Sequence, residues 1–91
     1  MTGPLWHPLA REDLAAIVAH VAARNPDAAL ALTARIEAGA AALGEMPGMG
    51  RPGRVDGTRE LVLHPNYVVV YAAADGAVTV LRVLHAARQW P

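Results

Sequence analysis

RELVLHPNYVVVYAAADGAVTVLRVLH, residues 59–85, is the stretch that decides the fold. Arg59–Leu63, Tyr67–Ala73 and Ala77–His85 are each rich in Val, Leu or Tyr, and His64-Pro65-Asn66 and Asp75-Gly76 separate them. Short β-branched and aromatic runs joined by turn residues predict a three-stranded antiparallel meander. A meander covered on one face should alternate apolar and polar residues. In Leu61-Val62-Leu63, Val68-Val69-Val70 and Val80-Leu81, neighbours that must point to opposite faces are all apolar. Both faces of the sheet are therefore expected to be covered, one by helices and the other by a partner chain or the C-terminal tail.

The helices lie upstream. From about Leu9 to Arg24, Leu14, Ile17, Val18 and Val21 recur at i, i+3, i+4 and i+7, the pattern of one apolar helical face. Asn25-Pro26-Asp27 then offers an N-cap, a proline at the first helical position and an acid in the first turn. The helix it opens runs to about Leu43, with Ala29, Leu32, Ile36, Ala40 and Leu43 as its buried stripe and Gly44 as its stop. Before the helices, Leu5-Trp6-His7 has room only for a brief strand, ended by Pro8 and placed at the sheet margin. Met46 to Thr58 (MPGMGRPGRVDGT) is too rich in Gly and Pro for a periodic element and reads as a loop carrying Arg51 and Arg54. The expectation is one α+β domain over residues 1–91, an N-terminal helix hairpin packed on a small antiparallel β-sheet.

Composition narrows the function classes. A chain of 91 residues buries only roughly 60–65% of its unfolded surface, so its core is thin and a partner is expected to complete it. The absence of Cys removes disulfides, thiolate metal sites and cysteine nucleophiles. The four histidines show no metal spacing, and neither a metal nor a cofactor is expected. The start of the chain lacks the pattern of a signal peptide and no apolar run is long enough to span a bilayer, so a soluble, cytoplasmic protein is expected. Eight Arg balance eight acids, which argues against bulk electrostatic attraction to nucleic acid. Residues 46–91, however, hold five of the Arg and only three of the acids, so function is sought there.

Several segments in chain order carry a family likeness: WHPLAREDL from Trp6, NPDAA from Asn25, MPGMGR from Met46, GTREL from Gly57, HPNY from His64, Tyr71, and the ending RVLHAARQWP from Arg82. Together they span nearly the whole chain, and it resembles the ParE/RelE toxins of type II toxin–antitoxin systems, also known as plasmid stabilisation proteins, and is nearer the ParE side. The resemblance implies a cognate antitoxin that lays helices, and sometimes a strand, along the toxin's grooves and sheet. It also implies growth inhibition by one of two routes, poisoning of DNA gyrase in the ParE branch or cleavage of ribosome-bound mRNA in the RelE branch. The branches share the fold, so the fold does not choose between them.

RNA cleavage by a 2′-hydroxyl needs a base, an acid and positive groups on the phosphate. Arg59 and Arg82 could hold phosphate, and Glu60 or His85 could move protons with help from Tyr71; Arg59, Arg82 and His85 are the catalytic candidates if the chain is RelE-like. The bland alternatives are a solvated Arg59 and Glu60 on opposite faces of one strand, a packing His85, and Tyr67 and Tyr71 as core aromatics. If the chain acts by binding, as a ParE-like toxin with gyrase as target, the candidates for target contact are Arg51, Arg54, Arg59, Arg82, Arg88 and Trp90, since Arg and Trp are favoured interface anchors. Trp90 could equally fold back on the sheet. The antitoxin is expected on the apolar meander at Leu61, Leu63, Val68, Val70 and Tyr71. Zero net charge and the lack of a Lys/Arg cluster favour the ParE reading over the nuclease. A third possibility is a non-toxic member that only binds antitoxin.

Overall fold

A computed structural model describes residues 3–87 and Trp90. In chain order its elements are β1 (Leu5–Trp6), α1 (Pro8–Ala22), α2 (Pro26–Glu45), β2 (Arg51–Pro52), β3 (Arg59–His64), β4 (Tyr67–Ala74) and β5 (Ala77–His85). The strands form one sheet in the order β1-β5-β4-β3-β2, antiparallel except where β1 runs parallel to β5. The fold is α+β, as expected, with the helix hairpin packed against one face of the sheet. Among the described residues no helix is long and apolar enough to cross a membrane.

Local chemistry sets the helix starts. His7 is the N-cap of α1 and its Nδ1 accepts a hydrogen bond from the Leu9 N–H at 3.0 Å, so Pro8 does more than end the strand: it is the first residue of the helix. Asn25 caps α2 in the same way, its Oδ1 accepting from the Ala28 N–H at 3.0 Å. The stripe Ala29, Leu32, Ile36, Ala40 and Leu43 is buried, as its spacing requires. Gly44 does not stop the helix, which runs one residue further to Glu45 and is capped by Met46. Leu14, Ile17 and Val21 of α1 pack on the same core, together with Val69, Tyr71, Val78, Val80 and Val83 of the sheet.

The meander holds as read, with register shifts between Val62 and His64 of β3 and opposite Val70 and Tyr71 of β4. Asp75 and Gly76 both take positive φ (53° and 76°), the backbone of a tight two-residue hairpin turn. Opposite Val70 and Tyr71, β5 slips register: Val70 pairs with Arg82 but Tyr71 with Val80. Leu81 is thus an extra residue, and this bulge reverses the parity of the strand. Val80 and Val83, three apart, both reach the helix-side core. Strict alternation from Leu81 through Val83 to His85 therefore fails at Leu81. The loop expected over Met46 to Thr58 also contains a short strand, β2, which pairs with the start of β3.

Candidate functional site

Two clusters contain the arginines singled out in the sequence. The first lies where β5 outruns β1. β1 pairs with Thr79 and Val80, and the His7 N–H reaches the Val80 carbonyl at 2.8 Å, after which the chain turns into α1. Asp13 of α1 then takes over the exposed margin of β5. Its Oδ2 accepts from the Val83 N–H at 3.0 Å and from Arg82 Nε at 2.7 Å, while its Oδ1 accepts from Arg82 Nη2 at 2.9 Å. This is a fork-on-carboxylate pair, largely shielded from water, that ties helix to strand. The carboxylate holds the Arg82 guanidinium above its ordinary pKa, chiefly through the hydrogen bond and against the opposing pull of burial.

The second cluster is the loop between α2 and β3. Tyr71, without exposed surface, sends its hydroxyl out of the core to donate to the Pro47 carbonyl at 2.7 Å and to accept from the Gly50 N–H at 2.9 Å. Arg59 Nη1 donates to the Gly50 carbonyl at 2.8 Å. Arg51 and Glu60 face each other across β2 and β3, and Arg51 Nη2 lies 3.0 Å from Glu60 Oε1; the arginine is 62% exposed and the acid 12%. As neighbours on one strand, Arg59 and Glu60 diverge, as expected, but neither is simply solvated: Arg59 is held by Gly50 and Glu60 by Arg51. Arg54 is exposed.

On the sheet face away from the helices, Val68, Val70 and Leu84 are as buried as the core (8%, 1% and 4% exposed). Trp90 closes a small recess there with Arg54, Glu60, His85 and Ala86. Trp90 thus lies over part of the second apolar face, in line with one of the two expected covers, while Val62 on that face stays 51% exposed. Of the residues assigned to antitoxin, Tyr71 is wholly in the core and Leu61 and Leu63 pack towards it, so these three do not form an open surface. Val68 and Val70 do lie on the outer face, beside Trp90. Arg88 lies outside the described residues.

Of the nuclease candidates, Glu60 and His85 line one recess with Arg54, but Arg59, Arg82 and His85 do not converge. Arg59 is level with Tyr71 on β4, and His85 is level with Tyr67. Those rows are about 13 Å apart at the rise of a strand, and the two residues stand on opposite sides of β4. Arg82 is engaged by Asp13. His85 is exposed, its Nδ1 accepts from the Ala87 N–H at 3.1 Å, and its ring meets Tyr67 edge-on at 5.6 Å. Among the described residues no group of three His, Asp or Glu could hold a metal ion.

A feature that the sequence reading missed is a groove of about 800 Å³ between the helices and the N-terminal segment. Trp6, Leu14, Val18, Ala19, Ala40 and Ala41 give it apolar walls, with Arg11 and Glu37 also lining it. Its trace in the sequence was the alanine-rich helix seam, whose small side chains leave the space open.

This architecture can be set beside known proteins. Residues 5–90 match the family model described as the ParE toxin of the type II toxin–antitoxin system parDE. The chain belongs to the ParE toxin family. It is 42% identical over 87 residues to the toxin-designated Y4kP protein of Sinorhizobium fredii, covering 94% of this chain and 90% of that one. It is also 39% identical over 88 residues to toxin RelE2 of Caulobacter vibrioides, covering 97% and 99%. Among solved structures, it is similar to a chain of the chromosomal ParDE toxin–antitoxin system from P. aeruginosa, with a TM-score of 0.80, 27% identity and coverage of 93% and 96%. The matching names thus include ParE, in the family model, and RelE, in one relative.

Proposed function

We propose that this ParE-family toxin arrests growth by binding its target, with DNA gyrase as that target, and that a cognate antitoxin neutralises it in the cytoplasm. The observation that carries the reading is the dispersal of Arg59, Arg82 and His85: the groups that would hold a phosphate must meet the proton-moving group at one substrate, and Arg59 and Arg82 are engaged by other partners away from His85. The contact surface is the Arg51–Arg54 loop with the adjoining tail, where Arg51, Arg54 and Trp90 supply the residue types that dominate interfaces. Arg59 and Arg82 contribute by holding this scaffold together, and Arg88 is a further candidate contact by residue type. The groove between the helices suits an apolar antitoxin helix, because its alanines allow close backbone approach; the exposed Val62 beside Val68 and Val70 suits a second antitoxin segment on the sheet.

Induced expression in cells tests the reading. DNA-damage induction and filamentation are expected. Rapid loss of translation with transcripts cut in phase with codons would instead support the ribosome-dependent endoribonuclease. No growth arrest on expression without antitoxin would leave a member that only binds antitoxin.

A further inference from the structure

We propose that Tyr71 is a positioning residue for the target-binding loop: its buried hydroxyl, acting with Arg59, grips the Gly50 peptide at both ends and presents Arg51 and Arg54 in a preformed arrangement. The inference rests on the reading of that loop as the target surface, and deepens it.

A phenylalanine would fill the same apolar site, so packing alone does not call for the hydroxyl of Tyr71. That hydroxyl is used fully, donating to the Pro47 carbonyl and accepting from the Gly50 N–H, while Arg59 holds the Gly50 carbonyl. Gly50 is the only residue that fits the grip, since a Cβ there would lie 2.7 Å from both the Glu60 carbonyl oxygen and the Tyr71 hydroxyl. Further along, the Gly53 N–H donates to the Thr58 carbonyl at 2.8 Å, and the Thr58 hydroxyl donates to the Val55 carbonyl at 2.6 Å. The base of the loop is therefore fixed to the sheet while Met46, Met49, Arg51 and Arg54 remain exposed. A surface fixed before binding avoids the ordering cost of a mobile loop. Thioethers beside guanidiniums fit an apolar recess bordered by carboxylates on a protein partner.

Tyr71→Phe in the full-length chain tests the proposal, with Gly50→Ala crowding the same grip from the loop side and Ile36→Val as a control that loosens the core elsewhere. Trypsin reads the loop at Arg54, since the Arg51–Pro52 bond resists it. The expectation is cleavage after Arg54 about tenfold faster in Tyr71→Phe and Gly50→Ala but not in Ile36→Val, with weakened target binding and growth arrest in the first two only. Unchanged cleavage in both loop variants overturns the grip. Faster cleavage with undiminished growth arrest overturns the positioning role, provided that Arg51→Ala with Arg54→Ala abolishes arrest. Full arrest by that double variant shows that the loop reading itself has failed, and the proposal falls with it. Should Tyr71→Phe not fold, Gly50→Ala decides alone.

Discussion

The Asp13–Arg82 pair and the Arg51–Arg54 loop use the same side chain in opposite ways. At the first, the guanidinium turns inward, spends two donors on one carboxylate and helps that carboxylate take over the margin of β5. At the second, the backbone is held from within by Tyr71 and Arg59, and the guanidiniums of Arg51 and Arg54 face outward. The two acceptors are equally sheltered, Asp13 at 13% and Glu60 at 12% exposed, so the role of each arginine is set by how far the guanidinium itself is shielded, 21% exposed at Arg82 and 62% at Arg51. A pair that is more than half exposed on one side contributes little.

The contrast is most easily broken at Asp13. Asp13→Ala leaves the shielded Arg82 guanidinium without its counter-charge and the Val83 N–H without its acceptor, so a loss of about 2–3 kcal/mol is expected. That is a fall in Tm of roughly 10–20 °C in a domain of this size, checked by thermal unfolding. The pair adds no pH dependence through Arg82 in the ordinary range. Its folded pKa is raised above the unfolded one, so its stabilisation is complete below the unfolded value and is lost only as the pH rises through the higher folded value.

Trp90→Ala comes next. Uncovering part of Val68, Val70 and Leu84 should cost about 1–2 kcal/mol, and binding of an apolar fluorescent dye should rise. Growth arrest should weaken more than that loss explains, since the same side chain is proposed to touch the target. Arg51→Ala should change stability by less than about 1 kcal/mol in thermal unfolding, yet weaken target binding by tenfold or more. His85→Gln is expected to have the smallest effect, within about 0.5 kcal/mol, with growth arrest retained. Loss of arrest in that variant with folding intact would move His85 into the chemistry.

Elements that rest on local periodicity were legible in the sequence. The α2 stripe, the Asn25 cap and the Asp75-Gly76 turn each follow from residues within a few positions of one another, and each lies where the spacing puts it. Features that depend on distant partners were not. Asp13 and Arg82 stand 69 positions apart, and nothing in either segment announces the other. The bulge at Leu81 is a single apolar residue in a strand rich in Val and Leu, so composition carries no mark of it, although it decides which side chains reach the core. The same holds for the site. Arg51 and Arg54 were picked out by residue type in a breaker-rich loop, whereas the grip on Gly50 from Tyr71 and Arg59 appears only once β4 is folded beside that loop.

The most direct test of binding over cleavage is a supercoiling assay with purified DNA gyrase, comparing the wild-type chain with His85→Gln and with the Arg51→Ala, Arg54→Ala double variant. The account predicts that the wild type and His85→Gln inhibit supercoiling alike, while the double variant inhibits at least tenfold less well at equal folded concentration. No inhibition by the wild type, together with codon-phased cleavage of ribosome-bound mRNA that disappears in His85→Gln, would contradict it.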